Sequence, residues 1–247
     1  MRFQGQTAII TGAGRDIGAA CARKLSAEGA NVAINYFSSS AGAEAVVKQI
    51  TDAGGKAFAM QGDLNDPAQV EALVQKTVDT YGGLNVLVNN SGGLLARKSI
   101  AEMPLDHWQK VIDLNLTSVF LMIHESLKHM KNGAIVNLAS QAGRDGGGPG
   151  AVAYAAAKGA VMTMTRGLAK ELGPNIRVNA LCPGMIDTDF HNVFTKDEVR
   201  RNVEAATPLK RQGTPDDIAN TVAFLASDDA AFITGVNVDI NGGMLFS

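Results

Sequence analysis

The sequence predicts a doubly wound α/β fold, a seven-stranded parallel sheet with helices on both faces, in a single domain spanning residues 1–247. Three observations carry this. Short β-branched apolar runs alternate with helical stretches along the whole chain, which implies parallel pairing through right-handed crossovers. The runs break at glycine, asparagine, serine or proline, so Gly12, Asn89, Ser140 and Pro183 all fall just past strand ends. In such sheets the ligand crevice lies beyond those ends. Finally, no linker, repeat or low-complexity segment is long enough to divide the chain.

The elements follow in order. TAIIT (7–11) reads as a buried strand that stops at glycine, and the loop GAGRDIG leads into a helix. NVAINY (31–36) is the second strand, followed by a helix ending at Gly54 and Gly55. KAFAMQGD is the third, followed by a helix with Pro67 in its first turn. LNVLVNN (84–90) is the fourth, and one long helix is expected from about Leu105 to Met130. GAIVNLAS (133–140) is the fifth strand and NIRVNALCPG (175–184) the sixth. Residues 185–213 show no strong period. TPDDIANTVAFLAS reads as a helix with a threonine cap, and ITGVNVDI as the seventh strand.

Composition excludes several functions. The 22 basic and 24 acidic residues nearly balance, and no basic run marks a nucleic-acid or membrane surface. No 18-residue stretch is apolar enough to span a bilayer, and MRFQGQTAIITGAG lacks a signal-peptide pattern. Cys21 and Cys182 show no metal-ligand spacing and read as reduced thiols of a cytoplasmic protein; no metal is expected.

Chemistry concentrates in SQAGRDGGGPGAVAYAAAK, 140–158. Tyr154 and Lys158 are four apart on a helix and so share a face. A cation within ~4–6 Å would lower the tyrosine pKa of about 10 by roughly 1–3 units. That would make Tyr154 a proton donor and acceptor for an alcohol or carbonyl. Taken alone, the spacing is also what two ordinary helix residues would give. In the first βα turn, Gly12, Gly14, Arg15, Asp16, Ile17 and Gly18 form a glycine loop suited to a pyrophosphate at a helix N-terminus. Its plainer reading is a tight turn.

Taken together, TG-x-x-x-x-x-G, NNSG at 89–92, Asn115, Ser140, YAAAK, PGMIDT at 183–188 and FITGVNVDINGG resemble the short-chain dehydrogenase/reductase family, over 7–244. The branch most similar is that of 3-oxoacyl-[acyl-carrier-protein] reductases and sugar dehydrogenases. The resemblance implies a Rossmann fold in which Gly12, Gly14, Arg15, Ile17 and Gly18 hold a dinucleotide. It implies that Asp63, with Leu64 beside it, binds the adenine, that Asn89 and Gly92 of NNSG support the central strand and line the adenosine ribose, and that Asn90 also contacts the cofactor. Pro183, Gly184, Ile186 and Thr188 would flank the nicotinamide. Tyr154 would donate the proton, and Lys158 would lower its pKa and hold the nicotinamide ribose. Ser140 would polarise the substrate oxygen, and the Asn115 backbone would hold a water leading from Lys158 to solvent.

Two departures matter. Asp16 stands where the family has its middle glycine, and is expected to point away from the phosphates and cap the first helix. The Ser140–Tyr154 gap is one residue longer than is common. The second strand ends in Tyr36-Phe37-Ser38-Ser39, without the carboxylate that NAD enzymes place on the ribose. Arg15 and the Ser38 and Ser39 hydroxyls could instead receive a 2′-phosphate, with Tyr36 a further cofactor contact, which favours NADP(H) and leaves NAD(H) use open.

Residues 185–213 resemble the family's substrate lid, where Phe190, His191 and Phe194 either face the pocket or merely pack the lid down. Arg97, Lys98 and Arg144 are candidates for attracting an acidic substrate, against the plainer reading of solvated charges. Lys128, Lys131 and Lys170 are weak evidence for a carrier-protein patch. The leading reading is an NADPH-dependent reductase of a ketone or aldehyde, similar to 3-oxoacyl-thioester reductases, with no nucleic-acid or membrane partner. A sugar or keto-uronate enzyme and an idle NADP(H)-binding sensor are the alternatives. The family's habit implies a homotetramer.

Overall fold

The computed structural model describes residues 1–246. Among these, seven strands form one parallel sheet in the order β3-β2-β1-β4-β5-β6-β7. They are β1 (Thr7–Ile10), β2 (Asn31–Tyr36), β3 (Lys56–Gln61), β4 (Val86–Asn89), β5 (Gly133–Leu138), β6 (Ile176–Pro183) and β7 (Asn237–Ile240). The chain order reverses between β1 and β4, and ligand crevices of such sheets open at that switch point.

Strand residues alternate between two apolar layers, as the period of two requires. Ile10, Val32 and Val88 face α1 (Asp16–Ala27), α2 (Ser40–Asp52) and α10 (Pro215–Ala226). Ile9, Ala33, Leu87 and Ile135 face α3 (Pro67–Tyr81), α5 (Ser118–Ser126) and α7 (Val152–Leu172). The helix ends have local causes. Asp66 accepts the Ala68 amide in front of Pro67, and Gly82 closes α3 in the left-handed conformation. Thr214 and Asp217 form a reciprocal capping box on α10.

The sheet expected from the sequence is present, with most strands shorter than read. The expected long helix from Leu105 differs: α4 (Leu105–Ile112) passes through a π-helical turn, Asp113–Thr117, into α5, which ends at Ser126. Such turns insert an extra residue and cluster at functional sites. Residues 185–213 are more regular than their weak period suggests. They hold α8 (Asp189–Phe194) and α9 (Asp197–Ala206), and their neck is closed by a bridge between Ile186 and Gly213. Within this excursion Arg200, only 14% exposed, donates to Asp187, Asn192 and Gln212 and so ties the lid's parts together. The long Ser140–Tyr154 gap is absorbed by a short helical turn, α6 (Ala142–Asp145), and by Gly146, Gly147 and Gly150 at positive φ.

No helix among the described residues is long and apolar enough to cross a membrane, and no group of three or more metal-ligating side chains comes together there. Cys21 and Cys182 are free and buried.

Candidate active site

A cleft of about 1110 Å³ opens over the carboxyl ends of the strands, between the glycine loop, the loop after β4, the 138–158 segment and the lid. It is lined by Gly12, Gly14, Arg15, Ile17, Gly18, Tyr36, Ser38, Ser39, Asn90 and Gly92, and by Ser140, Tyr154, Lys158, Pro183, Gly184, Ile186 and Thr188. The strand ends therefore bring together most of the residues read from the sequence. Asn115 lies behind this wall, fully buried. Asp63 and Leu64 are not on the wall: Leu64 is in the apolar layer with Val70, and Asp63 turns its carboxylate to the Asn65 amide.

The glycine loop is pinned from β4. Asn90 donates to the carbonyls of Thr11 and Gly12, and the Thr11 hydroxyl accepts from the amides of Asn90 and Ser91. A Cβ on Gly18 would sit 2.5 Å from the Gly12 carbonyl oxygen, so the loop folds back on its own helix with no room for a side chain. A backbone bared of side chains at a helix N-terminus suits a pyrophosphate, and this cradle fits a dinucleotide.

Asp16 does not cap its own helix. It is the first residue of α1, at φ 49°, and neither it nor the preceding Arg15 makes a side-chain capping bond there. Its carboxylate instead accepts the backbone amide of Asp189, the first residue of lid helix α8, at 3.5 Å. Arg15 lies 3.9 Å from the Asp16 carboxylate and 3.5 Å from that of Asp189. The glycine loop and the lid thus meet through three charged side chains. Burial and the Asp189 charge raise the Asp16 pKa.

On the opposite wall, Lys158 is 3% exposed and donates to the Leu138 carbonyl at 2.7 Å. Asn115, inside the π turn, accepts the Gly93 amide and donates to the carbonyls of Gly93 and Val111. A Cβ on Gly92 would approach Asn115 Oδ1 to 2.7 Å and Lys158 Nζ to 3.1 Å, so this glycine leaves the space both side chains use. The Lys158 ammonium stands 5.8 Å from the Tyr154 ring centroid.

The expected depression of the Tyr154 pKa is not what the structure gives. Burial pushes the phenol up, and the neighbouring Ser140 hydroxyl only partly opposes this. Burial also pushes Lys158 down, to about 8. Enclosure disfavours the charged form of each group.

The lid covers the phenol. Phe190 packs 6.0 Å from the Tyr154 ring and 5.1 Å from those of His191 and Phe194. Phe190 and Phe194 therefore both line the cleft and pin the lid. Arg97 donates to the carbonyls of Phe194 and Pro149, bracing the lid against the glycine-rich loop. Arg144 is not at the mouth: it pairs with Asp239 and the Asn237 carbonyl on β7. Lys98 is likewise absent from the lining. Leu94, Leu95, Met185 and Val193 add an apolar wall that sequence reasoning missed, and Asp189 was missed as well. Their only signal was position, just past strands β4 and β6.

His191 is largely enclosed, hydrogen-bonded through Nδ1 to Thr195, and burial beside Arg200 and Arg97 lowers its pKa to about 4. The ordinary value is about 6.5. Freed from its packing, His191 would take up a proton between pH 6.5 and 4 that its present surroundings refuse, so the packing of this segment should weaken as pH falls through that window. Asp16, shifted upward, acts in the opposite sense. Amide exchange at 189–206 should therefore quicken from pH 7 to pH 5 after correction for intrinsic rates, and His191→Gln should abolish the change. Equal pH response in both proteins would show that His191 is not its source.

This fold, with a cradle suited to a dinucleotide facing a wall of polar side chains, is that of an NAD(P)-dependent oxidoreductase. A family model described as enoyl-(acyl carrier protein) reductase matches residues 12–245. The chain belongs to the short-chain dehydrogenase/reductase family. An uncharacterized oxidoreductase of Methylorubrum extorquens is 42% identical over 247 residues, covering 98% of this chain and 99% of its own. The 3-oxoacyl-[acyl-carrier-protein] reductase FabG of Staphylococcus aureus is 42% identical over 243 residues, covering 97% of this chain and 98% of its own. Among solved structures, a short-chain dehydrogenase/reductase from Serratia marcescens superposes with a TM-score of 0.93 at 35% identity over 99% of each chain. A blue fluorescent protein from a metagenomic library, in complex with NADPH, does so with a TM-score of 0.93 at 36% identity over 100% of each.

Proposed function

We propose that this chain is an NADPH-dependent reductase that converts a ketone or aldehyde to an alcohol, with a 3-oxoacyl-thioester-like compound as substrate. The observation that carries the reading is the convergence of Ser140, Tyr154 and Lys158 on one wall of a cleft whose other wall is the glycine loop. The dinucleotide, when bound, supplies the hydride. Ser140 holds and polarises the carbonyl oxygen as negative charge develops on it. Tyr154 gives that oxygen its proton, and its upward-shifted pKa keeps the phenol protonated at neutral pH, the form reduction needs. Lys158 keeps a positive charge beside the phenol below about pH 8, and its donors beyond the Leu138 bond are free to hold the nicotinamide ribose.

NADPH is favoured over NADH because β2 ends without a carboxylate and Arg15 is a cation at that end of the cleft. The NADPH complex of the metagenomic relative points the same way. Leu94, Leu95, Met185, Phe190, Val193 and Phe194 offer an apolar wall to an acyl chain, which favours the thioester reading over a sugar. We place the enzyme in the cytoplasm, as two free thiols suit a reducing compartment. The exposed Phe232 and Phe246 are compatible with burial in a homotetramer. The test follows absorbance at 340 nm with acyl thioesters, sugars and uronates. The kcat/KM should be at least tenfold higher with NADPH than with NADH, and highest for 3-oxoacyl thioesters. A preference for NADH, or for a uronate, overturns the corresponding half of the reading.

A further inference from the structure

Arg15 lines the cleft with Tyr36, Phe37, Ser38 and Ser39, directly after Gly14, where an added Cβ would lie 2.8 Å from Ser39. With Asp16, it is also a residue through which the glycine loop reaches the lid, 3.5 Å from the Asp189 carboxylate. Both partners are exposed, Arg15 by 63% and Asp189 by 56%. Such a pair is weak and can be exchanged for another anion. Asp189 is nonetheless placed with purpose, for its backbone amide is held by Asp16 from the same loop. The lid helix therefore starts on the dinucleotide cradle and presents a carboxylate to the cation there.

We infer that the carboxylate of Asp189 and the adenosine 2′-phosphate compete for the guanidinium of Arg15, which makes this lid residue a determinant of the choice between NADPH and NADH. The inference rests on the NADP(H) reading above. A guanidinium aimed at the lid must turn to meet a phosphate at the end of β2. The cost of leaving Asp189 falls on NADPH alone, because NADH brings no anion to that position. Asp189 thus trims the preference that Arg15 creates. Neutralising the carboxylate should release Arg15 to the cofactor.

The experiment measures Kd for NADPH and for NADH by nicotinamide fluorescence, with no carbonyl substrate, in the parent, Asp189→Asn, Arg15→Gln and the double variant. Asp189→Asn should tighten NADPH about two- to fivefold, the span of an exposed ion pair, and leave NADH unchanged. Arg15→Gln should weaken NADPH about tenfold or more, as loss of a charge-assisted bond does. In the Arg15→Gln background Asp189→Asn should then have no effect. Three results would overturn the competition: equal tightening of both cofactors, tightening that persists without Arg15, or an inert Asp189→Asn. An unchanged NADPH Kd in Arg15→Gln is a different failure, since it removes Arg15 from the 2′-phosphate site and the NADP(H) reading with it.

Discussion

Tyr154→Phe should lower kcat/KM for carbonyl reduction by roughly 10²–10⁴, the usual contribution of a positioned proton donor, while Kd for NADPH stays within about twofold. The substitution keeps the ring that packs 6.0 Å from Phe190 and removes only the hydroxyl. Lid packing and the cradle are untouched, so the loss belongs to the proton. The pH profile of the parent sharpens the test. On the proposed mechanism reduction uses the neutral phenol, which burial stabilises, and the cationic Lys158, whose pKa burial lowers to about 8. Parent kcat/KM should be flat through neutrality and fall above about pH 8, and the residual rate of Tyr154→Phe, which keeps Lys158, should fall over the same range. A variant within tenfold of the parent would remove Tyr154 from the reaction.

The second large effect is expected at Gly18→Ala. The added methyl would lie 2.5 Å from the Gly12 carbonyl oxygen, 2.7 Å from the Ala13 Cα and 2.7 Å from Asn90 Nδ2. Two of these are backbone atoms of the cradle itself, and the third belongs to the side chain that pins it. Overpacking of this kind costs about 1–3 kcal/mol, which is about 5–150-fold if expressed in cofactor binding alone. Titration should show NADPH bound at least fivefold more weakly, with a lower melting temperature. Gly167→Ala is the control: it lies in the same class of element, within α7, and its Cβ would meet nothing within 4 Å. There alanine should stabilise slightly through its better helix propensity. Equal responses at the two positions would show that the loop tolerates a side chain.

Much of this was legible in the chain itself. The alternation of apolar runs with helical stretches is a local signal, and it led to the sheet and to the edge where Gly12, Ser140 and Pro183 gather. Two readings failed because of a contact between distant segments. Asp16 has the residue type of an N-cap, yet its carboxylate serves a helix that starts 173 residues later. Arg144 has the charge of a substrate anchor, but Asp239 arrives from the far end of the chain to claim it. The π turn at Asp113–Thr117 is invisible to a period of 3.6, because the apolar pattern runs through it. The Tyr154 and Lys158 shifts depend on how deeply each group sits, which spacing on a helix does not report.

The bridge between Ile186 and Gly213 has an evolutionary consequence. Because the two ends of the lid meet at its neck, the intervening chain leaves and rejoins the body at nearly one point. Residues can be added, lost or rewritten between those ends without moving any strand, so substrate range can diverge while the hydride chemistry beneath stays fixed.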